Sequence, residues 1–275
     1  MKRSDRLVAM TNYLTEHPSQ LVSLPFFSSE FKAAKSSISE DLAIINKMFQ
    51  QEGIGRLASL SGAAGGVKYI PHYSEENSEK FISELCGQLQ DPERLLPGGY
   101  LFMSDILGEP GKVRSIGRLF ASAFSEKEID AIVTVATKGI PLAYATAAFL
   151  NVPVIIVRRD PKVTEGSTVS VNYVSGSSRK IQTMVLSKRS LNEGSRVCII
   201  DDFMKAGGTI NGMIGLLKEF NAEVTAIGVL AEAEDEEEDR VVDQYTSLIQ
   251  ISNVDVKNKQ IEVHKGNYFL NTYSD

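Results

Sequence analysis

The sequence predicts an α/β protein in two parts: a small N-terminal domain of helices and a hairpin over residues 1–73, and a larger domain over 74–275. The larger part is predicted to be a mostly parallel sheet with flanking helices. Three observations carry this. Three apolar stripes at helical spacing precede two short strands around a glycine-rich turn. From about Asp130 onward, β-branched runs alternate with helical runs, the pattern of a parallel sheet covered on both faces. One apolar strand, ending at Ile200, delivers two adjacent aspartates into a Gly-Gly-Thr turn that opens a helix.

The first helix is set by Leu7, Met10, Thr11 and Leu14 at i, i+3, i+4 and i+7, with Ser4 as its N-cap and a stop near His17-Pro18. A second helix, Pro25 to Ala34, places proline in its first turn and buries Phe27 and Phe31. The third starts on a capping box, Ser37-Ile38-Ser39-Glu40, carries Ile38, Leu42, Ile45 and Phe49 on one face, and ends at Gly53. Arg56 to Leu60 and Val67 to Ile70 then read as two strands around Ser61 to Gly66.

Three helices followed by a hairpin make a winged helix. In such domains the third helix enters the major groove of double-stranded DNA and the hairpin touches the flanking backbone. Lys35, Ser36, Ser37 and Ser39 lie at the end of that helix that would face DNA, and Lys2, Arg3, Arg6, Arg56 and Lys68 are placed to meet phosphates. The plainer alternative is a small helical dimerisation domain, in which the serine-rich start is only a cap.

Composition narrows the options. No run of about 18 apolar residues exists, so no membrane span is expected. The basic N-terminus leads into an amphipathic helix instead of a signal-peptide core, which suggests a cytoplasmic protein. Cys86 and Cys198 are isolated and suit a reducing compartment, and His17, His72 and His264 have no ligand spacing, so no metal site and no bound cofactor are expected. Residues 1–73 hold eight Lys/Arg against six Asp/Glu, and the remainder 21 against 29, so the net charge of −6 divides into +2 and −8. A nucleic-acid module at the N-terminus is compatible with that asymmetry.

In the larger domain, Phe81, Ile82, Leu85 and Leu89 mark a helix. Asp130 to Val135, Val152 to Arg158 and Val224 to Leu230 read as strands, and Gly139 to Leu150 as an Ala-rich helix. Ser167 to Val174 and Ile181 to Leu186 read as a hairpin. The ligand site of such a sheet lies at the strand C-termini. There Asp201-Asp202-Phe203-Met204-Lys205-Ala206-Gly207-Gly208-Thr209 combines two acids, suited to vicinal ribose hydroxyls or to Mg²⁺ through water, with a glycine-rich helix start suited to a phosphate. Thr137-Lys138-Gly139 joins a strand to a helix and can receive a second anion. Tyr173 to Lys180, with Ser177 and Arg179, is a small-residue loop that can close over a polyphosphate, and Arg158 and Arg159 end their strand as further phosphate ligands. The acidic run from Glu232 to Asp239 reads as a solvated loop.

The 197–209 segment resembles the phosphoribosyl-pyrophosphate (PRPP) motif of type I phosphoribosyltransferases. There the acids hold the ribose hydroxyls and the loop wraps the 5-phosphate. With the Ser36 to Asp41 stretch, the glycine-rich wing, Thr137 to Pro141, the Tyr173 to Arg179 loop and Asp201 to Gly212, the whole chain resembles the purine repressors of Gram-positive bacteria. That resemblance implies a homodimer binding control regions of purine synthesis and salvage operons, with PRPP as the effector that relieves repression. The larger domain also looks like xanthine phosphoribosyltransferase, so an active transferase is the rival expectation, and guanine nucleotides are expected to compete for the phosphate subsites. Catalytic relatives commonly carry Ala-Thr or Asp-Thr before the glycine pair, where this chain has Lys205-Ala206. No catalytic residue is therefore expected.

Overall fold

A computed structural model describes residues 1–62, 65–96, 100–160, 166–174, 181–233 and 241–273. The N-terminal part contains α1 (Arg3–Glu16), β1 (Leu21–Ser23), α2 (Leu24–Glu30), α3 (Lys35–Gln51), β2 (Gly55–Leu60) and β3 (Gly66–Pro71). The strands form an antiparallel sheet in the order β1-β3-β2. Met10, Leu14, Phe27, Ile38, Leu42, Ile45, Phe49 and Tyr69 close one core beneath the helices.

Local starts differ from the sequence expectation at three places. Lys2 caps α1 and Ser4 lies inside the helix, bonded to Asp5. Ser23 caps α2, accepting from the Phe26 N–H, and the helix closes at Glu30 because Lys32 turns left-handed. Ala34 precedes α3, so Ser37 and Ser39 are helical and no capping box forms; Ser39 donates back to the Lys35 carbonyl instead. β1 carried no signal, since three residues are too few to show alternation.

The larger part contains α4 (Glu75–Leu89), the short ribbon of β4 (Leu95–Leu96) and β5 (Tyr100–Leu101), α5 (Ser104–Gly108), α6 (Pro110–Ala123), β6 (Ala131–Val135), α7 (Ile140–Leu150) and β7 (Val154–Val157). Next come β8 (Thr168–Val174), β9 (Ile181–Ser187), β10 (Arg196–Met204), α8 (Gly208–Lys218), β11 (Glu223–Ala233), β12 (Thr246–Asp255), β13 (Gln260–Lys265) and α9 (Tyr268–Tyr273). Six strands form one sheet, ordered β13-β12-β11-β10-β6-β7, parallel except for edge strand β13.

Period-2 alternation divides the sheet's apolar residues between two cores. Ile132, Cys198, Ile200 and Leu230 face α4, α6 and α7. Val133, Val197, Ile199 and Val229 face α8 and the β8–β9 hairpin. Helices α6 and α7 approach closely because Gly117 lacks a side chain: a Cβ there would lie 2.5 Å from the Ala145 carbonyl carbon.

The two parts meet at a polar junction. The Ser122 hydroxyl at the end of α6 lies 2.7 Å from His72 Nδ1, and Arg56 of β2 pairs with Glu126 at 2.7 Å. Ser19 donates to the Phe149 carbonyl in the last turn of α7, and the Tyr273 hydroxyl donates to the Tyr73 carbonyl. The Arg118 guanidinium lies over the Tyr73 and Phe149 rings.

One ion pair fixes the N-terminal helices. Asp41 is fully buried in α3 and accepts from Arg3 Nε at 2.9 Å and Arg6 Nε at 2.5 Å, both from α1. Removing one partner of a buried pair strands the others. Asp41→Ala is expected to cost about 2–3 kcal/mol in urea unfolding, because Arg6 is left enclosed while Arg3 can return to water. Glu40→Ala, which removes an exposed pairing of the same Arg3, should change stability by less than about 1 kcal/mol.

Candidate functional site

The strand order reverses between β6 and β10. From β6 the chain moves outward to β7, and from β10 it moves the other way through β11 to β12. A crevice opens at such a switch point, outside the strand C-termini. Three of the predicted segments arrive there: the Ala136–Gly139 turn after β6, Arg158-Arg159 after β7, and the end of β10 with the turn into α8.

Strand β10 runs further than the sequence indicated. It continues through Asp201, Asp202 and Phe203 to Met204, paired to β11 as far as Glu232, so the aspartates sit on a strand and not in the loop. Rigid strand pairing fixes both carboxylates. Asp201 is buried, 3 % exposed, and its Oδ1 accepts the Asp202 N–H at 2.9 Å. Asp202 is half-buried.

Burial pushes the Asp201 carboxyl well above the usual carboxylate range; the charge of Asp202 pushes it further, and the charge of Arg159 draws it back. Burial also raises Asp202, while its bond with Asp201 and the charge of Lys138 hold it down. Lys138 and Arg159 are thus electrostatic neighbours of the acid pair, as a polyanion-and-hydroxyl site requires.

The turn before α7 is built around absence of bulk. A Cβ on Gly139 would lie 2.3 Å from Thr134 Oγ1 and 2.9 Å from Asp201 Oδ1, so only glycine lets the turn seat against the acid. Thr137 and Lys138 are exposed on it. On the other side, Gly207 takes φ +86° and caps α8, where an L side chain would be strained. The first-turn N–H groups of that 11-residue helix have no carbonyl partner within it, and the helix dipole makes that end electropositive. Lys205 is exposed on the loop, and Ala206 and Gly207 are buried.

Sequence reasoning missed the support behind this loop. Val241 donates its N–H to the Ala206 carbonyl, and Val242 packs where a Gly207 Cβ would be. Tyr245 and Ser247 each donate to the buried Glu232 carboxylate at 2.5 Å. Glu232 is therefore part of β11 and not of a solvated loop; its two hydroxyl partners, distant in sequence, make burial tolerable. No local pattern announced any of these contacts. Residues 234–239 of the acidic run lie outside the described residues.

Tyr173 departs from its predicted role. Its ring packs on Gly212 of α8, 2.7 Å from an added Cβ, and its hydroxyl donates to Gln182, so it joins the core beneath the hairpin. Ser177 and Arg179 lie outside the described residues. Arg158 is half-buried, and its backbone pairs with Val185.

At the N-terminal part, Lys35, Ser36 and Ser39 are exposed at the start of α3, with Ser37 half-buried beside them. Lys2 is exposed and Lys68 half-buried. Arg3, Arg6 and Arg56 form ion pairs with Asp41, Glu40 and Glu126; Arg6 is nearly enclosed, whereas about half of the Arg3 and Arg56 side chains stays exposed.

Comparison with known proteins adds matches to two family models, two curated relatives and one solved structure. A family described as the N-terminal part of the bacterial purine repressor matches residues 2–71, and the phosphoribosyl transferase domain matches residues 103–264. The chain is 61% identical over 274 residues to the purine biosynthesis transcriptional repressor PurR of Bacillus subtilis strain 168, covering 100% of this chain and 95% of that one. It is 46% identical over 269 residues to the purine biosynthesis transcriptional activator PurR of Lactococcus lactis subsp. lactis strain IL1403, covering 98% and 99%. Adenine phosphoribosyltransferase of Rhodothermus marinus DSM 4252 superposes with a TM-score of 0.50 at 20% identity, over 62% of this chain and 99% of that one, a likeness of fold.

The acid pair has a consequence for stability. A carboxyl whose folded value lies above its unfolded one, near 4, stabilises the fold below that unfolded value, and the contribution is lost as pH rises through the folded value. Asp201→Asn removes the ionisation but can keep the bond from the Asp202 N–H. Thermal unfolding should show this variant a few degrees more stable than the parent at pH 8, with the gap closing towards pH 4.

Proposed function

This chain belongs to the bacterial purine repressor family, and we propose that it is a DNA-binding repressor of purine biosynthesis and salvage genes, relieved when PRPP occupies the larger domain. One observation carries the ligand: the acid pair, Lys138, Arg159, the Gly139 turn and the α8 N-terminus converge at one strand-end crevice. Vicinal ribose hydroxyls donate to Asp201 and Asp202. The 5-phosphate meets the N–H groups of Ala206 to Thr209, and the pyrophosphate meets the Thr137–Gly139 turn with Lys138 and Arg159. A cation accompanying the polyphosphate would meet Asp201 and Asp202 through water.

The N-terminal winged helix supplies the DNA contact. The start of α3, with Lys35, Ser36 and Ser39, enters the major groove of purine control regions, and two protomers read two half-sites. Among the described residues no helix is long and apolar enough to cross a membrane. Repression is preferred over activation because the repressor relative is 61% identical and the activator relative 46%.

Turnover is not part of this reading. Transfer requires a base held in line with the anomeric carbon, and the 205–206 positions carry Lys-Ala in place of the expected hydroxyl. The matched transferase domain favours one rival, an active purine phosphoribosyltransferase. PRPP-dependent pyrophosphate release with adenine, guanine, hypoxanthine or xanthine would establish it. Guanine nucleotides should compete with PRPP at the phosphate subsites without any such release.

Linkage gives the mechanism: PRPP bound preferentially to a conformation of low DNA affinity must weaken DNA binding by the same factor. Fluorescence anisotropy of a labelled purine-operon control fragment, titrated with PRPP at fixed salt, should show tight binding that PRPP reverses. The Asp201→Ala, Asp202→Ala double variant should keep operator affinity and lose at least about tenfold in PRPP response, the worth of one or two charge-assisted bonds. Equal loss of both properties would mean the pair is structural.

A further inference from the structure

Thr134 is the penultimate residue of β6, with 0% of its surface exposed, and among the described residues its Oγ1 has no hydrogen-bond partner. A buried hydroxyl without a partner is costly, and most are satisfied. The surroundings show where this one is aimed. The point that a Gly139 Cβ would occupy lies 2.3 Å from Thr134 Oγ1, 2.9 Å from Asp201 Oδ1 and 3.3 Å from the Ile200 carbonyl oxygen. Thr134, the first acid of the pair and the anion-binding turn therefore meet at one spot that glycine leaves open. Position 134 would pack equally well as valine, which has the same shape and forms strands as readily.

We propose that Thr134 is a positioning residue for the ligand site: its hydroxyl donates to the Asp201 carboxylate when the sugar-phosphate ligand is bound, and so holds that carboxylate towards the ribose hydroxyls. The inference rests on the reading of this crevice as a PRPP site. With Asp202, Lys138 and Arg159 as the charged groups around Asp201, Thr134 is the neutral donor on its inner side. The free protein carries an unsatisfied hydroxyl, and ligand binding satisfies it. Such an arrangement trades stability of the free state for affinity in the bound state.

The test uses the full-length protein and three readouts: PRPP affinity by isothermal titration, operator affinity without PRPP by anisotropy, and thermal unfolding of the free protein. Thr134→Val replaces the hydroxyl with a methyl group of similar size. It should weaken PRPP binding about tenfold, leave operator affinity unchanged and raise the unfolding midpoint. Thr134→Ser, which retains the hydroxyl, should return PRPP affinity to within about threefold of the parent even though it loses a buried methyl group and with it some stability. Opposite movement of stability and affinity in the valine variant, with rescue by serine, is the signature; a residue that merely packs would move both together. Parent-like PRPP affinity in Thr134→Val would overturn the inference while leaving the PRPP reading intact. Absence of PRPP binding to the parent itself would overturn both.

Discussion

Two carboxylates held side by side, one of them out of water, are an arrangement that a strand can enforce and a free loop cannot. Asp201 and Asp202 repel each other, and burial penalises ionisation of both. Left on flexible chain they would swing apart into solvent. Because β10 continues past them, locked to β11 through Met204 and Glu232, the backbone cannot yield. Much of the neighbourhood follows from that constraint: cations approach from Lys138 and Arg159, glycine is required at 139 so that the turn can seat against Asp201, and the sheet must reverse direction beside β10 for the crevice to exist.

The same logic governs the support behind the phosphate loop. An αL glycine at 207 frees the N–H groups of the loop but gives it no side chain with which to anchor itself. Anchoring comes from outside, through the Val241 bond to Ala206 and the packing of Val242. That segment is tied down in turn by Tyr245 on the buried Glu232 carboxylate. A carboxylate is tolerated there because two hydroxyls meet its two oxygens, which a solvated acidic loop would not need.

Much of this was legible in the sequence where the signal is local. The strand, acid pair and glycine turn at 197–209 announce themselves because backbone freedom, charge and apolar alternation change within a dozen residues. Helix α3 was legible from its apolar stripe, but its start was not: Ser37 and Ser39 imitate a cap while the tertiary ion pairs at Asp41 and packing of Ile38 favour nearly one more turn of helix. The charge of Arg3 and Arg6 is visible in the sequence but its partner is not: Asp41 lies some 35 residues away. Tyr173 was misread for the same reason, since the gap left by Gly212 is visible only once α8 is packed. β12, β13 and α9 went unread: β13 does alternate, with Ile261 and Val263 inward, but over only six residues, and α9 is a helix of only six residues.

The geometry between the two parts bears on how a bound polyanion can be felt by a DNA-binding module. Helix α7 begins at the Gly139 turn and carries Phe149 in its last turn, whose carbonyl accepts from Ser19 and whose ring lies under Arg114 and Arg118. It packs closely on α6 at Gly117, and Ser122 in the last turn of α6 meets His72. Close contact does not by itself couple two sites; coupling needs an interface with two arrangements that the ligands distinguish. The junction has the right character for that. Its described polar contacts are few and partly solvated, the Arg56–Glu126 pair is exposed on both sides, and His72 is held below its usual range by burial and then by the charge of Arg56. Interfaces of this kind rearrange at small cost, whereas the acid pair, fixed by the strand ladder, does not. On the proposed reading, a ligand site fixed by the strand ladder is joined through α6 and α7 to the DNA-binding module across a few polar contacts.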